Sequence, residues 1–199
     1  MKLFGSYTSP YVRRVRILAM ERDIPFEMID SATESGQREL RAHNPLWKVP
    51  AAEIDGIELW DSHSIIQFIL EKRGYGKLRP SPPVERWRET NLITVIDGAL
   101  DSAINAFYYE KDGAKPSEIL YLNKQKLRVK AAMEFLSSEL NGPWFTPDKN
   151  LGLSEIYLYT ALDWMRFRKT YPVSEIPVFA EFLEAHQLRN SIAETSPPG

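Results

Sequence analysis

Apolar residues in the first part of the chain switch repeatedly between alternating spacing and the three-to-four spacing of a helix, the pattern of strands interleaved with helices. Lys2, Leu3, Phe4 and Gly5 read as a short apolar strand. Ser9 and Pro10 then open a helix that runs to Glu21, with Val12, Val15, Ile17, Leu18 and Met20 supplying most of its apolar face. A serine at the N-cap followed by proline at the first helical position is a common helix start. Residues 25–30 alternate as a second strand, and residues 34–42 form a weak, polar helix stopped by Asn44-Pro45. Residues 49–54 and 57–60 are two strands joined by Asp55-Gly56, a two-residue loop suited to a type I′ turn. Asp61-Ser62 caps a further helix with Ile65, Ile66, Phe68, Ile69 and Leu70 on a broad apolar face, closing at Arg73-Gly74. The order β-α-β-α-β-β-α predicts an α/β domain in which a mixed four-stranded sheet carries helices on both faces, the thioredoxin-like arrangement.

Residues 77–83 (Lys-Leu-Arg-Pro-Ser-Pro-Pro) interrupt regular structure and read as a linker. After them strand-like alternation stops, and helical spacing covers residues 84–110, 116–140, 153–169 and 177–187. The expected organisation is a thioredoxin-like domain at 1–76, a linker at 77–84 and an all-α domain at 85–199. The last residues, Thr195-Ser196-Pro197-Pro198-Gly199, read as a surface segment with little structure.

Composition narrows the function classes. With 25 basic and 27 acidic residues, evenly spread, the 199-residue chain has no cationic stripe for a nucleic-acid backbone. Its apolar runs fall well short of the ~20 residues of a membrane span, and residues 1–6 carry no apolar leader, so a cytoplasmic location is expected. There is no cysteine, hence no disulfide framework and no enzyme thiol. Thiol chemistry, if present, must come from a ligand. His43, His63 and His186 have no paired metal-ligand spacing, so no metal is expected.

Three positions could carry chemistry. A proline at the start of a strand, as at Val49-Pro50, is accommodated by a cis peptide bond, which leaves the Val49 N–H and C=O at the sheet edge for an extended peptide to pair with. An edge-strand proline without a ligand accounts for the dipeptide equally well. Asp61-Ser62 lies where a strand enters a helix N-terminus, so backbone N–H groups and the Ser62 hydroxyl suit a carboxylate while Asp61 suits an ammonium group. Together these describe the free α-amino acid end of a small peptide; singly, each is also a plain N-cap. Ser9, at the start of the first helix, would meet a ligand thiol near the proline loop. A thiol with pKa about 8.5 is mostly protonated near neutral pH, and a hydroxyl donor at a helix N-terminus favours its thiolate. Ser6, Tyr7 and Thr8 are neighbouring hydroxyls able to take that part, and Ser9 is also an ordinary cap.

The ordered set resembles a known family. Residues 5–16 (Gly-Ser-Tyr-Thr-Ser-Pro-Tyr-Val-Arg-Arg-Val-Arg) look like the opening of bacterial glutathione S-transferases of the cytosolic type. Residues 44–50 (Asn-Pro-Leu-Trp-Lys-Val-Pro), Asp55-Gly56 and Asp61-Ser62 resemble their glutathione-binding signature, and residues 153–164 their buried C-terminal helix start. The resemblance implies that Val49, beside Pro50, pairs with the cysteinyl backbone of glutathione, that Asp61 and Ser62 hold the γ-glutamyl end, and that Ser9 faces the sulfur. Tyr11 would line the thiol pocket, and Lys48, Arg38 or Arg41 could reach a carboxylate of glutathione.

The implied activity is transfer of glutathione, as co-substrate, to a small hydrophobic electrophile; Phe107, Tyr108 and Tyr109 are candidates for the wall against that second substrate. Glutathione-dependent isomerisation or dehalogenation, and a non-catalytic glutathione-binding or regulatory protein on the same fold, stay open. The resemblance also implies a homodimer. Two departures stand out: Trp47 occupies a position that is usually glycine, and Gly152 replaces the hydroxyl residue three positions before Glu155, removing half of a capping box.

Overall fold

The computed structural model describes every residue except Pro147 and Gly199. Its first half follows the predicted order: β1 (Lys2–Gly5), α1 (Pro10–Glu21), β2 (Glu27–Asp30), α2 (Glu34–His43), β3 (Ala51–Ile54), β4 (Ile57–Trp60) and α3 (Ser62–Arg73). The strands form one mixed sheet in the order β2-β1-β3-β4. β1 runs parallel to β2 and antiparallel to β3, and β3 pairs antiparallel with β4. This is the thioredoxin-like arrangement expected from the apolar pattern. Asp55 and Gly56, with φ of 53° and 76°, occupy the two left-handed positions of the β3–β4 turn.

α1 differs from a one-faced amphipathic helix. Val12, Val15, Ile17, Leu18 and Ala19 are buried as the pattern requires, but so are Arg13, Arg14 and Arg16. A buried guanidinium requires partners, and two of the three find them in the chain's end. Arg13 donates to the Ile192 carbonyl at 3.1 Å and to the Thr195 hydroxyl at 3.4 Å, and Arg16 donates to the Thr195 carbonyl at 3.1 Å. Within the expected surface tail Thr195 is the exception, fully buried beside α8 (Asn190–Ala193), which packs on α1, whereas Ser196 and Pro198 are exposed and residues 196–198 lie outside regular structure. Gly199, the last residue of that expectation, lies outside the described residues.

The chain forms two compact units, Met1–Gly76 together with the segment from Gln187 onward, and Lys77–His186. The second contains α4 (Pro83–Lys111), α5 (Leu120–Glu139), α6 (Leu153–Arg168) and α7 (Pro177–His186). A 3-10 turn over Gly76–Leu78 precedes the proline-rich stretch. α5 starts at Leu120 rather than at Pro116, because residues 115–118 close a turn through Glu118 N–H to the Lys115 carbonyl at 3.0 Å. α6 is the centre of this unit: every residue from Leu153 to Met165 is buried. Its Glu155 accepts from the N–H groups of Gly152 and Phe145, both at 3.0 Å, so the acidic half of the capping box survives without the hydroxyl half.

Candidate functional site

Register brings three chain segments to one end of the sheet. Phe4 of β1 lies opposite Ala51 of β3, and Ala51 lies opposite Trp60 of β4. Hence the exit of β1 toward Ser9, the entry to β3 at Val49-Pro50 and the exit of β4 toward Asp61-Ser62 are neighbours, although residues 9 and 61 are far apart in sequence. Gly5 belongs to this junction: a Cβ there would stand 2.3 Å from Cγ2 of Val12, so only glycine lets β1 and α1 approach this closely.

The Val49-Pro50 peptide is cis. The Pro50 carbonyl accepts the Asp61 N–H at 3.2 Å, which ties the β3 entry to the start of α3. The Val49 side chain packs against the cluster of Phe4, Leu40 and Ala51. Its own N–H and C=O take part in no hydrogen bond among the described residues. The loop before it is held by buried Asn44, whose amide donates to the Lys48 carbonyl at 2.7 Å and whose Oδ1 accepts the Leu46 N–H at 2.9 Å.

Trp47 sits in this loop at φ 54°, the left-handed region that favours glycine, with the Arg41 guanidinium 4.8 Å from the centre of its indole ring. That stacking occupies Arg41, and Arg38 pairs with Glu34 at 2.8 Å. Lys48 is exposed and has no ion-pair partner among the described residues. It is the cation of the three left over for a ligand carboxylate.

Ser9 is the N-cap of α1: its Oγ accepts the Val12 N–H at 3.4 Å, and its hydroxyl proton is left to donate. It is half-buried, as are Thr8 and Ser6, whose hydroxyls lie 3.4 Å apart. Tyr7 is more exposed, with the Arg16 guanidinium 5.1 Å from its ring centre. Burial pulls the pKa of Arg16 down, and the Tyr7 phenol opposes that shift. Tyr11 is half-buried, with Arg14 4.9 Å from its ring centre.

At the third segment Asp61 adopts φ 75° and is exposed; Oδ1 accepts the His63 N–H at 2.7 Å, while the carboxylate charge faces solvent. Ser62 is different. It is 0% exposed, and its hydroxyl oxygen accepts from Arg14 Nε at 3.0 Å and Nη2 at 2.7 Å. Arg14 was not among the sequence candidates. Its one signal was a place in an arginine-rich run, and nothing local distinguishes a buried arginine from a solvated one.

The aromatic residues considered for a second substrate divide. Phe107 packs edge-on against Trp164 at 5.7 Å and against Tyr108 at 5.3 Å, whereas Tyr108 and Tyr109 are exposed. No cluster of His, Asp and Glu able to hold a metal occurs among the described residues. No described helix is long and apolar enough to cross a membrane.

Comparison with known proteins places this arrangement. Residues 3–84 match the family described as glutathione S-transferase, N-terminal domain. The GST-like protein YibF of Escherichia coli is 28% identical over 201 residues, covering 100% of this chain and 99% of that one. A glutathione S-transferase from Methylobacillus flagellatus, solved with glutathione bound, superposes with a TM-score of 0.86 at 25% identity, covering 99% of both chains. One from Methylobacterium radiotolerans, in complex with glutathione sulfonate, gives 0.84 at 23% identity, covering 100% of this chain and 95% of that one.

Proposed function

The chain belongs to the glutathione S-transferase family, and we propose that it binds glutathione, stabilises its thiolate and transfers it to a small hydrophobic electrophile. The observation that carries the reading is the Val49 peptide: an N–H and a C=O at the sheet end, unengaged among the described residues, match the paired donor and acceptor of a cysteinyl residue in an extended peptide. On either side of it the remaining groups fit the rest of the molecule. The exposed Asp61 carboxylate takes the γ-glutamyl ammonium, and the N-terminal turn of α3 its carboxylate. Lys48 takes the glycyl carboxylate, and Tyr11 lines the thiol.

In this account Ser62 contributes at a step removed, its buried hydroxyl oxygen engaged by Arg14 so that the start of α3 is fixed against α1. Ser9 donates to the sulfur. The thiolate then adds to the electrophilic carbon, a carbon–sulfur bond forms, and the leaving group departs with the electron pair of the bond that breaks. Because the chain has no cysteine, no mixed disulfide with the enzyme can form. We extend the proposal to a cytoplasmic homodimer.

The test is conjugation of glutathione to a chlorodinitrobenzene. Wild-type protein should release chloride with glutathione-dependent kinetics. Ser9→Ala should lower turnover about tenfold to a hundredfold, the worth of one hydrogen bond to a charged group, and displace the pH–rate profile to higher pH. No conjugation with aryl halides, activated alkenes or peroxides by folded protein would refute the catalytic part.

A further inference from the structure

The loop that presents Lys48 and Val49 begins directly after His43, the last residue of α2, and His43 is fastened to the sheet in three ways. Its ring stacks on Phe4 of β1 with centroids 4.8 Å apart, its carbonyl accepts the Trp60 Nε1–H at 2.7 Å, and its Nδ1 lies 2.6 Å from Oε1 of Glu58 on β4. Little else anchors this helix, in which only Gly36 and Leu40 are buried. Next in the chain, buried Asn44 donates to the Lys48 carbonyl at 2.7 Å. That carbonyl belongs to the same peptide unit as the Val49 N–H. The position of His43 therefore sets the position of the peptide that faces glutathione.

Of the three fastenings, the one to Glu58 depends on protonation. Register places four charged residues in one row across the sheet: Glu27 of β2 opposite Lys2 of β1, Lys2 opposite Glu53 of β3, and Glu53 opposite Glu58 of β4. Lys2 is two residues from Phe4, which packs on Leu40, so the row lies on the face that α2 covers. It holds three carboxylates and one ammonium, and Glu53 and Glu58, directly opposite with like charge, oppose one another. On α2 itself Glu39 is one turn before His43, Arg41 is stacked on Trp47 and Arg38 is paired with Glu34. An imidazolium at position 43 supplies a cation to this row from the carboxyl end of a helix, where positive charge is favoured. A neutral imidazole keeps at most an uncharged hydrogen bond to Glu58, about half as strong.

We propose that His43 is a positioning residue for glutathione and makes its binding sensitive to pH. Protonated, it pins α2 to β4 through Glu58 and holds the Lys48–Val49 peptide ready for the ligand. Deprotonated, it loosens that fastening, and binding must supply part of the ordering of the loop. The inference rests on the glutathione reading above and adds a direction to it: affinity falls as pH rises, the reverse of the trend that formation of the ligand's thiolate would produce.

The probe is S-methylglutathione, which has no ionisable thiol, titrated by calorimetry into the full chain at about pH 5.5 and about pH 8, the interval in which histidine is the side chain that changes charge. The expected result is binding about two- to fivefold weaker at the higher pH, the range of one partly exposed ion pair. Glu58→Gln and His43→Gln should each flatten the dependence, and the double variant should be no flatter than either alone. His63 stands beside Asp61, so the titrations are repeated on a His63→Gln background, where the dependence should persist. Binding by the wild-type chain that is equal at the two pH values, or tighter at the higher one, would overturn the proposal without recourse to any variant. A dependence that survives intact in Glu58→Gln, or disappears with His63→Gln alone, would overturn it as well. No binding of S-methylglutathione at either pH is a distinct result, one that removes the glutathione reading and this inference with it, whereas binding independent of pH removes this inference alone.

Discussion

Replacing Ser62 with alanine isolates the buried bond that joins α1 to α3. Ser62 is 0% exposed and Arg14 1%, and the Ser62 hydroxyl oxygen accepts from Nε and Nη2 of Arg14 at 3.0 and 2.7 Å. The alanine methyl group fills most of the same space but accepts nothing. Two donors of a buried cation then lose their acceptor where water does not reach. A hydrogen bond to a charged group contributes about 1.5–3 kcal/mol. Arg14 keeps its other interactions, so the loss is that of one shared acceptor rather than of a wholly stranded charge, and about 2–3 kcal/mol is the expected destabilisation. For a chain of this length each kcal/mol lowers the melting temperature by roughly 2–4 °C, which sets the expected shift at about 4–12 °C. Urea denaturation of Ser62→Ala, Arg14→Met and the double variant completes a cycle, and a coupling of at least about 1 kcal/mol should appear, because the second substitution removes the donors that the first left unpaired. Ser62→Ala within about 0.5 kcal/mol of wild type, or strictly additive variants, would refute the role assigned to this pair.

Two further outcomes follow from the packing. Glu89 is buried 2.8 Å from Arg79 Nε; desolvation, opposed by Arg79 and reinforced by the charge of Glu155, raises its pKa from 4.5 to about 7. The folded state thus holds a proton more tightly than the unfolded chain. Stability contributed by this group is full below about 4.5 and is lost as pH climbs toward about 7, a change of at most ~3 kcal/mol; Glu89→Gln should flatten that slope in urea melts, and an identical slope in both proteins would contradict it. Gly5→Ala places a methyl 2.3 Å from Val12 Cγ2 and should cost about 1–3 kcal/mol, with Val12→Ala in the same chain recovering part of the loss; a neutral Gly5→Ala melt would mean that β1 and α1 are not so closely apposed.

How far the sequence could be read depended on the range of the interaction. The Ser9-Pro10 start of α1, the Asp55-Gly56 turn, the Asp61 cap and the Val49-Pro50 peptide are local, since each depends on conformational preferences of adjacent residues, and each was visible in a few letters. Burial of Arg13, Arg14 and Arg16 was not visible. In a periodicity analysis an arginine marks the wet face of a helix, and only tertiary pairing across 48 residues to Ser62, or across 179 or more to the chain's end, makes its burial affordable. The same reasoning explains why Thr195 read as part of a loose tail. Pro116 misled in the other direction: proline favours a first helical turn, but the Lys115–Glu118 turn satisfies its neighbours before α5 begins.

The measurement that bears most directly on the account is calorimetric titration of the intact protein with reduced glutathione near neutral pH. The account predicts saturable binding of one glutathione per chain, weakened at least tenfold when the γ-glutamyl amine is acetylated and its pairing with Asp61 is lost. Absence of saturable heat at millimolar glutathione, with the protein folded, would contradict it.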